Sequence, residues 1–554
     1  MKIRFLFLLY FFYSIPTVAQ HSVSQTFTRY DSLRGTLSPL RSCYDVFFYD
    51  LNLRVNPAGR SIKGYNTIHY RTTAAFDKIQ VDLFSNMKIN RILQHNQELS
   101  FERDSNAVFI SFPQQQPSGI VDSISIYYEG QPIVAANPPW DGGFSWEKDQ
   151  SGKDWIGVSC EGIGASLWWP NKDHLSEEPD SMRISCEVPA NLMCVANGNL
   201  RNTTKLTDGF TRYDWVVSYP INNYNVSLNI ADYAHFSDTY TAQDGNKLAL
   251  DYYVLQSNLD QAKKQFAQVK PMLACYEKLF GKYPFWKDGY ALVETPYLGM
   301  EHQSAIAYGN NYLPGYMGMD LSGTGVGLSF DYLIIHESGH EYWGNSVSAQ
   351  DQADMWIQES FCTYTEGLYI ECMQNKENAF KYIVGLRQGI KNKEPIVAPL
   401  HVNASGSGDM YMKGANVLHT LRNAIDNDKL WFELMYGIAQ EFKLKNTNTK
   451  EIVQYINQKT GKDFTPFFDQ YLQHANIPTL QYSVTGKGKK AVLKYRWQAD
   501  VAAFNMPVKV SYGKGAEKTI YPTTAWQTLS EKGSAGNFRV ATDLFYIHTE
   551  KVAD

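Results

Sequence analysis

A chain of 554 residues is long enough for about three or four domains. Its composition, with 44% hydrophobic and 19% charged residues, is typical of a soluble globular protein. Aromatic residues reach 14%, which favours broad β-rich surfaces. The formal net charge is −5, and Lys and Arg do not cluster with aromatic residues. This pattern argues against nucleic acid as a partner.

The first nineteen residues predict a signal for export. Residues 1–4 form a basic segment with Lys2 and Arg4, and 5–18 form an apolar run. Residues 17–19 carry small or short side chains. We expect cleavage after Ala19 and a periplasmic or extracellular location. The alternative is an uncleaved anchor, but the run is shorter than the ~20 residues that cross a bilayer. No other stretch could span a membrane, so we expect no stable membrane anchor.

The seven cysteines are few for the length, and their odd number leaves at least one unpaired. Export permits disulfides, but the spacing does not give their connectivity. No two cysteines form a C-x-x-C pair, so we expect most of them to be buried small hydrophobic residues without thiol chemistry.

Residues 20–245 are predicted to form an antiparallel β domain. Short strands are expected at 46–55, 65–71, 79–83, 108–112, 123–128, 183–188 and 213–218, and turn signals such as Asn197-Gly198 and Asp208-Gly209 separate them. A less regular passage runs through 138–144, 160–162 and 168–174. Loops on a rigid scaffold are where binding residues tend to collect.

Residues 246–478 are predicted to form a mostly helical domain. It begins with a helix at 258–280, kinked or broken at Pro271, followed by a strand at 290–294 and an extended run at 301–308. Further helices are expected at 377–389, 413–426, 429–442, 451–459 and 467–474, the fourth with a capping-box start at Asn448 and Glu451. Strands at 481–485, 491–497, 507–511 and 545–549 then indicate a small β-sandwich over 479–554.

The densest chemical signal is the stretch His336-Glu337-Ser338-Gly339-His340, preceded by an apolar run at helical spacing. Two residues four apart on a helix leave from the same face, so His336 and His340 can share one metal ion. Catalytic zinc usually takes three protein ligands and keeps one position for water. By itself, this motif is also compatible with a chance occurrence on a buried helix.

The third ligand is expected to be Glu359, on a second amphipathic segment at 355–369. A loop of about eight residues between antiparallel helices would bring Glu359 over the histidine face. His336, His340 and Glu359 then form a two-histidine, one-carboxylate set for one zinc ion, and Glu337 remains free as the general base.

The motif with Glu359, the Glu301 segment upstream and Tyr411-Met412-Lys413-Gly414-Ala415 downstream together resemble the zinc aminopeptidases of peptidase family M1. The resemblance covers about 44–474. It implies a multidomain α+β fold with an N-terminal β saddle domain, a thermolysin-like mostly helical catalytic domain and a C-terminal β-sandwich. It also implies a zinc-dependent release of N-terminal amino acids from peptides with a free N-terminus. The oligomeric state stays open.

The resemblance implies a role for Glu301, which would hold the substrate's free α-amino group through a carboxylate–ammonium pair. Gly299 and Met300, just before it, would line the substrate path. The sequence departs from the family pattern at Leu298, which could narrow the approach of the substrate backbone. It departs again at His302, which could add a titrating neighbour to Glu301.

Two more residues take their roles from the resemblance. Glu161 matches a position where family members place a second acidic or amide group at the amine. Tyr411 matches a tyrosine that stabilises the oxyanion of the transition state. Asp173 and His174 are expected to be structural.

Two other functions remain open from the sequence. A peptide-binding protein with a vestigial pocket would show no turnover. A thermolysin-type endopeptidase would cleave peptides whatever the state of their N-terminal amine.

Overall fold

The computed structural model describes residues 26–486, 490–513, 517–532 and 534–553 of the chain. The predicted export signal, 1–19, lies outside the described residues. Among the described helices, none combines the length and the apolar character needed to cross a membrane.

Three β-sheets form the N-terminal region, behind two short helices, α1 (Arg29–Gly35) and α2 (Pro39–Ser42). The strands are β1 (Tyr44–Asn56), β2 (Ser61–Thr72), β3 (Phe76–Asp82), β4 (Met87–Gln94), β5 (Gln97–Glu98), β6 (Ser100–Asp104), β7 (Ala107–Gln116), β8 (Val121–Gly130), β9 (Gly143–Lys148), β10 (Asp154–Ser159), β11 (Ser181–Pro189), β12 (Met193–Ala196), β13 (Asn199–Lys205), β14 (Phe210–Val217) and β15 (Leu228–Ala231). The largest sheet has the order β13-β14-β11-β1-β2-β8-β4-β5, and the smaller ones β12-β15-β10-β9 and β3-β7-β6.

Strand β1 shows how the sequence builds this region. Leu51, Leu53 and Val55 are buried while the residues between them are partly exposed, as the two-residue period of a strand requires. The buried faces of the sheets share one apolar core. The predicted antiparallel pairing holds through the largest sheet except between β1 and β11, which run parallel with Phe48 opposite Ser181.

The passage that the sequence indicated to be irregular contains a hairpin. Strands β9 and β10 pair from Gly143–Ser159 to Lys148–Asp154. The first four residues of β9 are all buried, so the alternation that marks a half-exposed strand is missing there. The expectation of irregular structure was wrong only at Gly143 and Phe144, which begin β9, because 138–142, 160–162 and 168–174 lie in no helix or strand.

A five-stranded mixed sheet opens the helical region. Its strands are β16 (Tyr233–Thr241), β17 (Lys247–Leu255), β18 (Tyr290–Glu294), β19 (Gly299–Met300) and β20 (Ile306–Tyr308), in the order β16-β17-β18-β20-β19. The predicted extended run at 301–308 was wrong at its start, because only its last three residues are in a strand. Glu301 therefore follows β19 directly and lies in the connection to β20.

The helices of this region are α3 (Leu259–Gln265), α4 (Val269–Phe280), α5 (Tyr332–Gly339), α6 (Trp356–Met373), α7 (Lys376–Gly385), α8 (Asp409–Ile425), α9 (Asp428–Glu441), α10 (Thr449–Thr460) and α11 (Thr465–Gln473). The predicted break at Pro271 was wrong, because the helix is interrupted earlier, at a 3₁₀ turn over Phe266–Gln268. Pro271 sits in the first turn of α4, where a missing N–H costs no intrahelical bond.

The start of α10 matches only half of the predicted capping box. The Asn448 side chain accepts a hydrogen bond from the Glu451 N–H at 3.1 Å. The Glu451 carboxylate accepts from the Thr447 hydroxyl instead of returning to the backbone N–H of Asn448.

Two small sheets form the C-terminal region, as the predicted sandwich requires. Strands β23 (Thr479–Thr485), β24 (Lys490–Gln498), β27 (Gln527–Lys532) and β29 (His548–Lys551) form one sheet, and β25 (Val508–Tyr512), β26 (Lys518–Ile520) and β28 (Phe538–Val540) form the other. Their apolar faces join the core of the helical region through residues such as Leu493, Trp497 and Val508. The remaining short strands, β21 (Val347–Ala349) and β22 (Lys445–Thr447), pair with each other. The exact domain limits stay predictions.

One pair of cysteines is joined in the structure. Cys275 on α4 and Cys372 on α6 form a disulfide, a pairing that the sequence left open. The other five cysteines are unpaired and buried, as expected for small hydrophobic residues.

Candidate metal centre and substrate cleft

Helices α5 and α6 bring three metal-binding side chains together. Asp331 caps α5 by accepting from the N–H groups of Leu333 and Ile334. The helix ends at Gly339, so His340 lies at its C-cap, one residue past the helix that the sequence predicts to continue. The Nε2 atoms of His336 and His340 are 3.3 Å apart.

Glu359 completes this set from the first turn of α6. Its Oε2 lies 3.8 Å from Nε2 of His336 and 3.5 Å from Nε2 of His340. The connection between the two helices is longer than the expected eight residues and contains β21 and a 3₁₀ turn over Gln352–Asp354. The convergence of the three side chains nevertheless agrees with the sequence prediction.

The second nitrogen of each imidazole is held by another group. Nδ1 of His336 lies 2.7 Å from Glu366 Oε1, and Nδ1 of His340 lies 2.9 Å from the carbonyl oxygen of Trp343. Burial lowers the pKa of His336 to about 3 and that of His340 to about 4. Both rings are therefore neutral with protons on Nδ1, and each Nε2 lone pair faces the other.

The donor atoms fit a divalent metal ion. Glu359 Oε2 is buried and has no hydrogen-bond partner among the described residues. Burial, together with Glu301 and Glu337, raises the pKa of the Glu359 carboxyl well above its usual range. An unpaired buried oxygen and two opposed lone pairs are unfavourable without a cation, and two histidines with one carboxylate are a common zinc ligand set.

Glu366 and its neighbours escaped the sequence analysis. The Glu366 carboxylate also accepts a hydrogen bond from the Tyr382 hydroxyl, and the Tyr332 hydroxyl lies 3.2 Å from Nδ1 of His336. Glu366 follows Glu359 by seven residues, about two helical turns, so both carboxylates leave α6 on the same face. That spacing was the available signal.

Three more carboxylates surround the donor set. Ligand atoms of Glu301, Glu337 and His340 lie within 4.8 Å of one another, and so do those of Glu161, Glu301 and Glu359. Burial and the neighbouring carboxylates raise the pKa of both Glu161 and Glu337 well above the usual range. A site of this charge favours two kinds of cation, a metal ion and an ammonium group.

Glu301, the candidate binding residue for the substrate amine, accepts hydrogen bonds from two other parts of the chain. The Tyr224 hydroxyl donates to Glu301 Oε1 at 3.1 Å, and the Asn345 side-chain amide donates to the Glu301 carbonyl at 2.8 Å. Tyr224 comes from the β region and Asn345 from the loop after α5. Neither was found from the sequence, because both contacts join distant parts of the chain.

The three metal-binding side chains and the surrounding carboxylates of Glu161, Glu301 and Glu337 line a cleft of about 500 Å³. Its other lining residues are mainly apolar or aromatic, and they include Trp140, Leu298, Gly299, Met300, Leu321, Leu386, Met410, Tyr411 and Met412. Gly299 packs closely against α5, since a Cβ there would lie 2.4 Å from Cδ1 of Leu333. The Tyr411 ring is nearly parallel to the His336 ring, with centroids 6.2 Å apart.

Leu298 and His302, the two residues that depart from the family pattern, lie in different surroundings. Leu298 lines the cleft, so its effect on the approach of a substrate stays a prediction. His302 is fully buried, and neither ring nitrogen has a hydrogen-bond partner among the described residues. Burial lowers the pKa of His302 to about 3, so the expectation that it titrates beside Glu301 was wrong.

Asp173 and His174 make the structural contacts expected of them. Asp173 Oδ2 accepts from the Ser166 hydroxyl at 2.6 Å, and Nδ1 of His174 lies 2.8 Å from the Ser176 hydroxyl oxygen. Both side chains lie outside the cleft that holds the three metal-binding residues.

Two histidines and a glutamate from adjacent helices, with a free glutamate beside the first histidine, define a site of the metallopeptidase class. Residues 265–471, which contain the whole donor set, match the model of the peptidase family M1 domain. The resemblance to peptidase family M1 that the sequence predicted is thereby confirmed for this segment.

Curated relatives agree with this assignment. Aminopeptidase N of Escherichia coli (strain K12) is 23% identical over 423 residues, which are 69% of this chain and 45% of that protein. Leucyl aminopeptidase of Saccharolobus solfataricus is 21% identical over 347 residues, 60% of this chain and 42% of that protein. The chain spans about half the length of these curated relatives.

Solved structures share the fold. The crystal structure of an M1 zinc metallopeptidase mutant from Deinococcus radiodurans, bound to a Tyr-Ser-Ala substrate, has a TM-score of 0.65 and 18% identity. The match covers 79% of this chain and 96% of that one. The multidomain α+β fold predicted from the sequence, with a β-rich N-terminal region and a helical catalytic region, is thereby confirmed.

Proposed function

We propose that the protein is a zinc-dependent aminopeptidase that releases N-terminal amino acids from peptides. The observation that carries this proposal is the convergence of His336, His340 and Glu359 in a cleft that also holds Glu301 and Glu161. The printed names of the relatives, aminopeptidases and zinc metallopeptidases, support the same activity and the same metal.

One zinc ion would be held by His336, His340 and Glu359. When bound, zinc lowers the pKa of a coordinated water toward about 7 and polarises the scissile carbonyl. Glu366 and the Trp343 carbonyl fix the two imidazoles with their Nε2 atoms toward the cleft.

The protein's own groups supply proton transfer and charge stabilisation. The Glu337 carboxylate takes the proton of the attacking water and passes it to the nitrogen of the departing amine. The Tyr411 hydroxyl, on the cleft wall, donates a hydrogen bond to the oxyanion as charge develops.

The N-terminal amine of the substrate determines which peptide bond is cleaved. Carboxylate oxygens of Glu301 and Glu161 lie within 4.8 Å of each other and of Glu359, and together Glu301 and Glu161 offer these oxygens to an ammonium group. A peptide bound through its N-terminal amine exposes its first peptide bond to the attacking water, so one residue leaves at a time.

The cleft walls favour an apolar first side chain. Apart from the glutamates and histidines of the site, the lining residues in the described part of the chain include methionine, leucine, tyrosine and tryptophan but no lysine, arginine or aspartate. An acidic first residue would meet repulsion from the carboxylates and find no cation to pair with.

We further propose that the protein is exported after removal of residues 1–19. The basic, apolar and short-side-chain order of that segment supports this location. The disulfide between Cys275 and Cys372 supports it independently, because such bonds persist mainly in oxidising compartments. N-terminal sequencing of the mature protein tests it, since a chain that still begins at Met1 would contradict cleavage.

A panel of aminoacyl-coumarin substrates, with metal analysis on the same sample, tests the activity. We expect one zinc per chain and fastest release of leucine, methionine or phenylalanine. Acetylation of the substrate amine should abolish cleavage. Equal cleavage of acetylated peptides would favour an endopeptidase, and no cleavage by the zinc-loaded protein would favour a peptide-binding function.

A further inference from the structure

Helix α1 lies at the boundary between the β region and the helical region. None of its residues is buried, so its apolar contacts do not fix its place. The fully buried Arg41 does so instead: Nη1 donates to the carbonyl oxygens of Leu33 at 3.2 Å and Arg34 at 2.5 Å, while Nη2 donates to Asp82 at 2.6 Å. Arg41 thereby ties the C-terminal end of α1 to strand β3.

From this helix, Arg34 contacts two segments that lead into the cleft, one at Gly162 and one at Asn403. Its Nη1 donates to the carbonyl oxygen of Gly162 at 2.6 Å and to Oδ1 of Asn403 at 2.7 Å. Its side chain is only 13% exposed, and Asp173 Oδ2 lies 3.5 Å from Nε. One planar cation thus joins a loop of the β region to a loop of the helical region.

The segment 401–403 is held along its length by the same helix. The Asn403 N–H donates to the carbonyl oxygen of Asp31 at 3.0 Å, and the Thr36 hydroxyl donates to that of His401 at 2.9 Å. A Cβ on Gly35 would lie 2.1 Å from the carbonyl carbon of Val402, so the two backbones are in direct contact.

Both loops continue directly into the cleft. Gly162 follows Glu161, which offers a carboxylate to the substrate amine, and both residues line the cleft. Two residues after Asn403, Ser405 also lines the cleft, and the chain then enters α8, which carries Tyr411. The guanidinium of Arg34 therefore links the segment that carries Glu161 to the segment that leads to Tyr411.

We propose that Arg34 is a positioning residue, which holds Glu161 at the depth where it pairs with the substrate's α-ammonium group. This inference rests on the proposed aminopeptidase function. Because the ammonium is paired in both the bound substrate and the transition state, loss of this positioning weakens binding more than it slows the chemical step.

The test compares Arg34→Ala with Arg29→Ala in the full-length, zinc-loaded protein. Arg29 lies on the same helix, is 74% exposed, and pairs only with Asp104, far from the cleft. For leucyl-coumarin, we expect Arg34→Ala to raise KM about tenfold, the usual effect of losing one charge-assisted hydrogen bond. We expect kcat to stay within about twofold, and Arg29→Ala to keep both constants of the wild type.

Two more variants separate positioning from stability. Asn403→Ala should raise KM as Arg34→Ala does, and the double variant should be no worse than either single variant, since both changes break the same bridge. Arg34→Lys keeps the charge beside Asp173 but lacks the planar fork, so it should restore the melting temperature without restoring KM. If Arg34→Ala fails to fold, Asn403→Ala carries the same test.

The outcomes distinguish this inference from the activity that it assumes. A wild-type protein without aminopeptidase activity would refute the proposed function itself. An active wild type whose KM is unchanged in both Arg34→Ala and Asn403→Ala would refute only the role of Arg34. A loss of kcat and melting temperature at constant KM would also refute it, because it would show a purely structural role.

Discussion

Substitution of Glu366 tests the zinc affinity of the site without changing any of the three metal-binding residues. Its carboxylate lies 2.7 Å from Nδ1 of His336 and also accepts from Tyr382. Glu366→Gln keeps the shape and one acceptor oxygen but removes the charge that makes the imidazole a stronger donor of its Nε2 lone pair. We expect zinc affinity to fall about tenfold, or about 1.4 kcal/mol. Glu366→Ala, which leaves both partners unpaired in a buried site, should cost about a hundredfold.

Competition with a chromogenic chelator at fixed pH measures these affinities. Glu371→Gln is the matched control, since Glu371 lies on the same helix but pairs with Arg422. It should lower the melting temperature and leave zinc affinity unchanged. Wild-type zinc affinity in Glu366→Gln would refute the reasoning, because the charge of the Glu366 carboxylate beside Nδ1 of His336 would then have no effect on the metal.

Three further predictions concern chemistry and stability. Glu337→Gln should retain zinc and lose roughly 10²–10⁴-fold in kcat, the usual contribution of a positioned general base; measurable zinc loss with normal turnover would contradict that role. Tyr411→Phe should retain zinc and substrate affinity while kcat falls about 10²–10³-fold, as for other oxyanion donors, and an unchanged kcat would remove Tyr411 from the chemistry. Cys275→Ser should lower the free energy of unfolding in urea by about 2–5 kcal/mol, because the disulfide closes a loop across a sequence separation of 97. Equal stability of the wild type with and without reductant would show that this bond does not form.

The metal centre could be predicted from the sequence because its geometry is almost local. A four-residue spacing on one helix places His336 and His340 on one face, and only the return of Glu359 needed tertiary structure. Glu366 was equally accessible, as it repeats the face of Glu359 two turns later. It was missed because the spacing shows only which face of the helix Glu366 occupies, while its contact with His336 depends on the tertiary structure.

The rest of the site could not be read from the sequence because its contacts are long-range. Tyr224 meets Glu301 across 77 residues, and Arg34 meets Asn403 across 369. The same limit applies to the fold, where β1 pairs in parallel with β11 although most of the surrounding pairs are antiparallel. Strand β9 was missed for another reason, since burial of its first four residues removed the alternating pattern.

The bridge made by Arg34 has a consequence for synthesis of the protein. Its two acceptors, Gly162 and Asn403, lie far apart along the chain. Gly162 therefore leaves the ribosome long before Asn403 does. A nascent chain that has folded its β region still lacks the segment that leads to Tyr411, and contacts of such separation form late. The amine-binding end of the cleft is thus completed only after Asn403 has emerged, when α5 and α6 are already available to hold the metal.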